Sequence, residues 1–211
     1  MESLDRLVLS LSNTQSLTRR AAVNALFASL VFGTLAGRAA AQAAGPPHLT
    51  GSKIQFTSLD PAKPMPALKL FHVNGKPADL APKPGKAMLV NFWATWCDAC
   101  SKELLLLEDL QKVFGKSLDI VAIAHDGGGQ SVVEPYLHKQ GIKNLDIYLD
   151  PDGIATGVAT HTRQAGPFVL YTTPMYYLVT PQGRIAGYLP GAVDWTSDSA
   201  HALIAYFLQT E

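Results

Sequence analysis

Cys97 and Cys100 are the only two cysteines of this 211-residue chain, and two residues separate them. A single disulfide between two thiols cannot stabilise a core of this size, and two thiols alone cannot complete a tetrahedral zinc site. The two cysteines therefore either have no special role or carry the chemistry of the protein. The spacing lets an exchangeable disulfide close on one helical turn. The pair therefore predicts thiol-disulfide exchange, with a structural disulfide or part of a metal site as the alternatives.

The pair lies at a predicted junction between a strand and a helix. Residues 87–93 form a nearly continuous apolar run, which is typical of a strand buried on both faces. Leucines at helical spacing across residues 101–113 predict an amphipathic helix. The start of that helix favours a thiolate, with Cys97 as the exposed sulfur and Cys100 one turn further in. The carboxylate of Asp98 favours the protonated thiol and opposes this effect.

Strand and helix patterns alternate along the rest of the chain. Asn74-Gly75 predicts a hairpin turn within residues 66–80. Further strands are predicted at residues 118–124, 145–149, 175–180 and 184–189, and further helices at 131–140 and 197–209. The order predicts an α/β sandwich whose last strands are antiparallel.

The first 43 residues have the layout of a signal peptide. Arg19 and Arg20 precede an apolar run of roughly 16 residues, shorter than the ~20 that span a bilayer. The two arginines resemble a twin-arginine export signal. We expect a periplasmic protein, either cleaved or held at the inner membrane by its leader. Residues 44–65 are predicted to be a linker and loosely packed lead-in with few backbone hydrogen bonds, and residues 66–211 to be one domain.

Charge and glycine pattern argue against binding of nucleic acid or phosphate groups. The chain has 17 Lys and Arg against 17 Asp and Glu, so no basic field exists that would hold a phosphate backbone. Residues 127–129 are three glycines, but no Gly-Lys-Ser/Thr follows them, so they predict a plain loop and no phosphate site. Nucleic acid is therefore not an expected partner.

Residues 91–103, NFWATWCDACSKE, resemble the active-site segment of TlpA/ResA-type thiol:disulfide oxidoreductases of the thioredoxin superfamily. Thr173-Pro174 resembles the cis-proline loop of that family, residues 181–185 resemble the hairpin after it, and residues 191–198 resemble the tail of the TlpA branch. The resemblance covers roughly residues 54–208. It implies an α/β thioredoxin fold, a central mixed β-sheet flanked by helices, with a short N-terminal β-hairpin extension.

The resemblance also implies roles for single residues. Cys97 would be the nucleophile and Cys100 the resolving thiol that breaks the mixed disulfide with the substrate. A cis Pro174 would face the cysteines and leave the backbone of Thr173 free to pair with an extended substrate peptide. Trp96 would shield Cys97 and offer an apolar contact to a partner protein, whereas Trp93 is expected in the core. Exchange of this kind needs no cofactor.

Glu103 is a candidate proton acceptor. On a helix it lies about 60° from Cys100 and about 120° from Cys97, nearer the resolving sulfur. A partly buried carboxylate there would be placed to take the Cys100 proton. Thioredoxins proper link a buried Asp on the preceding strand to this task, but this chain has Asn91, which cannot titrate. The alternative is a solvated glutamate favoured by the helix dipole.

The substrates implied by the resemblance are oxidised periplasmic proteins with paired cysteines, such as apocytochromes c or copper-delivery proteins of cytochrome oxidase assembly. A membrane thiol relay would supply the electrons. Two alternatives stay open: a disulfide donor, and a non-catalytic Cu(I)-binding chaperone. A zinc site would need His125 or His161 from distant loops. Membrane contact is expected only if the leader stays uncleaved.

Overall fold

A computed structural model describes residues 45–157 and 166–209, which contain one mixed β-sheet and its helices. In chain order the strands are β1 (Thr57–Pro64), β2 (Leu68–His72), β3 (Pro77–Leu80), β4 (Ala87–Trp93), β5 (Leu118–Ala124), β6 (Asp146–Leu149), β7 (Met175–Val179) and β8 (Arg184–Pro190). The helices of these residues are α1 (Asp98–Phe114), a following 3₁₀ turn (Gly115–Ser117), α2 (Gln130–Gln140) and α3 (Asp198–Leu208). The predicted leader lies outside the described residues.

β4 lies in the middle of the eight-stranded sheet, whose order is β1-β8-β7-β4-β5-β6-β2-β3. It pairs in parallel with β5 along its whole length and antiparallel with β7. Both β4 and β5 have the predicted bounds, because an uninterrupted apolar run between turn residues must lie in the core. Their carboxyl ends meet at the same edge of the sheet, and the cysteines directly follow β4.

Alternate residues of β4 face two different cores. On one face Trp93 packs with Leu104 of α1 and Val133 of α2, and it is fully buried as predicted. On the other face Phe92 packs edge-on against Phe168, with ring centroids 5.3 Å apart. Helix α1 therefore follows β4 and folds back over the Trp93 face of the sheet.

The prediction of a loosely packed lead-in is wrong for β1, which pairs with β8 at an edge of the sheet. The strand was not predicted because it contains Pro61 and Pro64, and prolines are more typical of a linker. An edge strand tolerates proline because only one of its sides takes part in the ladder, and β1 also has an irregular register between Ser58 and Lys63. The sheet thus begins before the predicted domain start at Pro66.

The predicted hairpin is confirmed. β2 and β3 are antiparallel, and the turn between them places Gly75 at φ 77°, a conformation that glycine adopts readily. β2 also pairs with β6, so the hairpin extends the sheet on the side opposite β1. In the described part of the chain, no helix has the length and apolar character needed to cross a membrane.

The described parts of the stretch between β6 and β7 are turns and loops. Buried Asp150 accepts the N–H groups of Ile154 at 2.6 Å and Ala155 at 3.0 Å. The N–H of Val169 donates to the Tyr177 hydroxyl at 3.0 Å, and that hydroxyl donates to the carbonyl of Val169 at 2.5 Å. These bonds hold the chain that leads to Pro174.

Candidate active site

Cys97 and Cys100 form a disulfide where β4 gives way to α1. Their Cα atoms are 5.4 Å apart, and the Cys100 N–H donates to the Cys97 carbonyl at 3.0 Å. α1 begins at Asp98, three residues earlier than predicted, so Cys97 is its N-cap residue and Cys100 lies in its first turn. Among the described residues no side chain caps this helix, so the positive end of its dipole lies beside Cys97 without a side-chain acceptor.

The two cysteines differ in exposure. Cys97 retains 7% of its surface and Cys100 retains 0%. Cys97 is thus more covered than the predicted exposed sulfur, but it is still the cysteine that solvent reaches. Of the two cysteines only Cys97 has any exposed surface, and a difference in access of this kind is what the predicted roles of nucleophile and resolving thiol require.

Trp96 stands out from the surface directly before the disulfide. It is 65% exposed, and its indole packs edge-on against the ring of His125 with centroids 5.4 Å apart. An exposed indole offers an apolar face to a partner protein. Its predicted shielding of Cys97 stays a prediction.

The Thr173-Pro174 peptide bond is cis, as expected. The Pro174 carbonyl accepts the N–H of Gly191 at 3.0 Å, and Oγ1 of Thr173 lies 3.0 Å from Nε2 of His125. Within the described residues the backbone N–H and carbonyl of Thr173 make no hydrogen bond. They are therefore available to an extended peptide, in keeping with the expected role of this loop.

His125 and Asp126 follow β5 at the same edge of the sheet. The N–H of His125 donates to the Trp93 carbonyl at 3.1 Å. The buried Asp126 carboxylate accepts the Thr95 hydroxyl at 2.6 Å and the Thr95 N–H at 3.1 Å. Burial lowers the pKa of His125, although the nearby Asp126 carboxylate acts in the opposite direction. Burial thus favours the neutral form of the ring.

Glu103 is 5% exposed, so the alternative of a solvated glutamate is wrong. Its Oε2 accepts the Tyr176 hydroxyl and the Val193 N–H, the latter at 3.1 Å. Burial raises the pKa of Glu103, and these two hydrogen bonds partly offset that rise; the charge of Asp194 adds to it. Asn91 on β4 is fully buried and does not titrate. Glu103 is thus a buried acid one turn after the buried Cys100.

Asp126 and Tyr176 were not predicted to belong to the site, and His125 was considered only as a possible zinc ligand. A signal for His125 and Asp126 was available, because they directly follow β5, and the carboxyl ends of neighbouring parallel strands meet. Tyr176 lies in β7, two residues after Pro174. No local pattern links it to α1.

The described residues contain no group of three His, Cys, Asp or Glu side chains placed to hold a metal ion. His161, considered above for zinc, lies outside those residues. His125 is instead engaged with Thr173 and Trp96. The disulfide therefore stands among hydrogen-bonding and aromatic groups.

Comparison with known proteins gives the family. The Redoxin family model matches residues 60–203, more than half of the chain. The thiol-disulfide oxidoreductase ResA of Bacillus subtilis is 27% identical over 138 residues, which cover 64% of this chain and 70% of the relative. ResA of Oceanobacillus iheyensis is 31% identical over 110 residues, which cover 52% of each protein and thus about half the length of that relative.

Solved structures agree on the fold. A DsbF homologue from Corynebacterium diphtheriae has a TM-score of 0.56 at 18% identity and covers 74% of this chain and 94% of its own. A thioredoxin family thiol:disulfide interchange protein from Chlorobium tepidum has a TM-score of 0.54 at 23% identity and covers 70% and 97%. The predicted thioredoxin-like architecture is confirmed. The chain belongs to the Redoxin family and is a thiol-disulfide oxidoreductase with a thioredoxin-like fold.

Proposed function

We propose that this chain is an exported reductase that breaks disulfides in extracytoplasmic partner proteins, with Cys97 as the nucleophile and Cys100 as the resolving thiol. The observation that carries the proposal is the difference in access at the start of α1. Cys97 keeps a solvent-facing surface beside the positive end of the helix, whereas Cys100 is fully buried one turn further in. Of the two cysteines, only Cys97 has any exposed surface from which to react with another protein.

The reaction begins with both cysteines reduced. The Cys97 thiolate attacks one sulfur of the partner disulfide, so that a mixed disulfide forms and the other partner sulfur leaves as a thiolate that takes up a proton. Cys100 then loses its proton and attacks Cys97. The Cys97-Cys100 bond forms, and the second partner sulfur leaves and is protonated. Two electrons pass from the cysteine pair to the partner disulfide.

Glu103 serves as the acceptor of the Cys100 proton in this scheme. Cys100 is buried, so its proton needs a local acceptor before the thiolate can attack. Glu103 lies one helical turn away, and burial raises its pKa, which makes its carboxylate a stronger base than an exposed glutamate. It afterwards returns the proton to solvent or to the departing sulfur.

Substrate contact would come from Trp96, Thr173 and Pro174. The exposed indole supplies an apolar face, and the unused backbone groups of Thr173 pair with an extended segment of the partner. The signal-peptide layout of residues 1–43 supports a periplasmic location, with or without an inner-membrane anchor. Oxidised apocytochromes c and copper-delivery proteins are the substrate classes proposed, and a membrane thiol relay is the electron donor.

A trapping experiment tests the assignment. The Cys100→Ser variant, expressed in the native host, should accumulate mixed disulfides on Cys97 that disappear on reduction. A Cys97→Ser variant is the matched control and should capture nothing. Equal capture by both variants, or by neither, contradicts the assignment of the nucleophile.

Equilibration with glutathione tests the direction of exchange. A reductase should have a potential nearer that of thioredoxin, about −270 mV, than that of a disulfide donor such as DsbA, about −120 mV. Insulin reduction and a copper assay on the purified protein complete the test. Stoichiometric Cu(I) without any reduction of insulin would replace the proposal with a copper chaperone.

A further inference from the structure

Glu103 lies where three elements of the described chain meet. It belongs to α1, Tyr176 belongs to β7, and Val193 lies in the loop between β8 and α3. Tyr176 faces α1 because it pairs with Asn91, which points to the same side of β4 as Trp93. The contact between Tyr176 and Glu103 therefore follows from the register between β4 and β7.

Both hydrogen bonds end on the same oxygen of Glu103. The Tyr176 hydroxyl and the Val193 N–H donate to Oε2, and no residue within 45–157 or 166–209 donates to Oε1. One carboxylate oxygen is thus held, and the other is not committed to a hydrogen bond with this part of the chain. Tyr176 is itself immobilised, because it is fully buried and packs edge-on against Trp195 with ring centroids 4.9 Å apart.

The two donors are also fixed to the loop that carries Pro174. Tyr176 follows Pro174 by two residues. Val193 follows Gly191 by two residues, and the Gly191 N–H donates to the Pro174 carbonyl at 3.0 Å. The carboxylate of Glu103 is thus tied at two points to the segment expected to receive the substrate.

We propose that Tyr176 is a positioning residue for resolution: its hydroxyl, with the Val193 N–H, holds one oxygen of Glu103 and leaves the other to take the proton of Cys100. This inference rests on the proposed role of Glu103. In the described residues, the titratable groups around Glu103 are Tyr176 on β7, Asp194 after β8 and Cys100 on α1 itself. A hydroxyl that donates to a carboxylate favours its ionised form, so loss of the Tyr176 hydroxyl raises the pKa of Glu103 further.

The test uses stopped-flow mixing of the reduced protein with dithiobis(nitrobenzoate), a chromophoric aryl disulfide. The first released thionitrobenzoate reports attack by Cys97, and the second reports resolution by Cys100. In Tyr176→Phe the pH midpoint of the second phase should move upward by about one unit. Below the midpoint, this shift corresponds to a loss of about tenfold in the rate of the second phase. The first phase should be unchanged. Tyr148→Phe is the matched control, because Tyr148 on β6 also faces a carboxylate, that of Asp146. It should shift neither phase.

Further variants separate the inference from the proposed function on which it rests. Glu103→Gln should abolish the pH midpoint of the second phase, and Glu103→Gln/Tyr176→Phe should behave as Glu103→Gln does. If Glu103→Gln keeps the midpoint, the role of Glu103 fails and the inference fails with it. If only Tyr176→Phe keeps the wild-type midpoint, the inference alone is overturned.

A measurement on the unsubstituted protein covers the case in which Tyr176→Phe does not fold. The NMR resonance of the Tyr176 hydroxyl proton in the reduced protein should move with pH at the same midpoint as the second phase. A resonance that stays constant through that midpoint overturns the proposal.

Discussion

The imidazole of His125 meets the side chain of Thr173 at the edge of the sheet, with 3.0 Å between Nε2 and Oγ1. The same ring packs against Trp96. His125 therefore joins the residue before Pro174 to the residue before Cys97, although the three segments come from distant parts of the chain. The ring thus contacts two of the residues proposed to receive a partner protein, Thr173 and Trp96.

His125→Ala removes both contacts of the ring. One lost hydrogen bond corresponds to about 1 kcal/mol, so we expect the KM for a protein disulfide to rise about fivefold with a smaller change in kcat. Steady-state reduction of insulin measures both values. His138→Ala, at an exposed histidine of α2, controls for removal of an imidazole. An unchanged KM in His125→Ala would mean that the ring does not organise the site.

Alkylation should distinguish the two thiols. In the reduced protein, brief treatment with iodoacetamide should label Cys97 and leave fully buried Cys100 unmodified, because only Cys97 is reached by solvent. Peptide mass spectrometry locates the label. Reduced Cys97→Ser should remain unlabelled under the same conditions. Equal labelling of the two cysteines would remove the structural basis for their separate roles.

Trp96→Ala should weaken partner binding without unfolding the protein. The indole is largely exposed, so its removal should leave the thermal midpoint close to that of the wild type. The KM for a protein disulfide should rise several-fold, and the effect on a small aryl disulfide should be much smaller. Val113→Ala removes an exposed apolar side chain near the other end of α1 and is the control. Equal effects of Trp96→Ala on large and small disulfides would argue against a docking role.

Glu103→Gln should change how stability depends on pH. Burial raises the pKa of Glu103 in the folded protein above its value in the unfolded chain, about 4.3. The folded protein therefore holds this proton more tightly, and its stabilising effect is present below pH 4.3 and is lost as the pH rises through the folded pKa. The wild type should lose more stability between pH 4 and pH 8 than Glu103→Gln.

Urea unfolding across that pH range measures the difference. Glu134→Gln on α2 makes the same chemical change at a partly exposed position. A wild-type protein whose stability changes with pH in parallel with that of Glu103→Gln would contradict the raised pKa.

Local patterns predicted the elements next to the site better than the contacts within it. β4 and β5 were found at their true bounds because continuous apolar runs are distinctive. β1 was missed because its prolines are typical of a linker. The bonds of Glu103 to Tyr176 and Val193 span 73 and 90 residues, and they depend on the register of β7 and the path of the loop after β8. Sequence spacing along α1 placed Glu103 near Cys100 but carried no information about those partners.

The two edge strands of the sheet, β1 and β3, bear on whether the protein aggregates at high concentration. β1 contains Pro61, Lys63 and Pro64, and β3 begins with Pro77 and carries Asp79. Prolines lack an amide proton and charged side chains resist burial, so neither strand is a good template for a strand from a second molecule. β1 and β3 therefore end the sheet with strands that pair poorly with a second molecule. We expect these two edges to protect the folded chain against growth into fibrils.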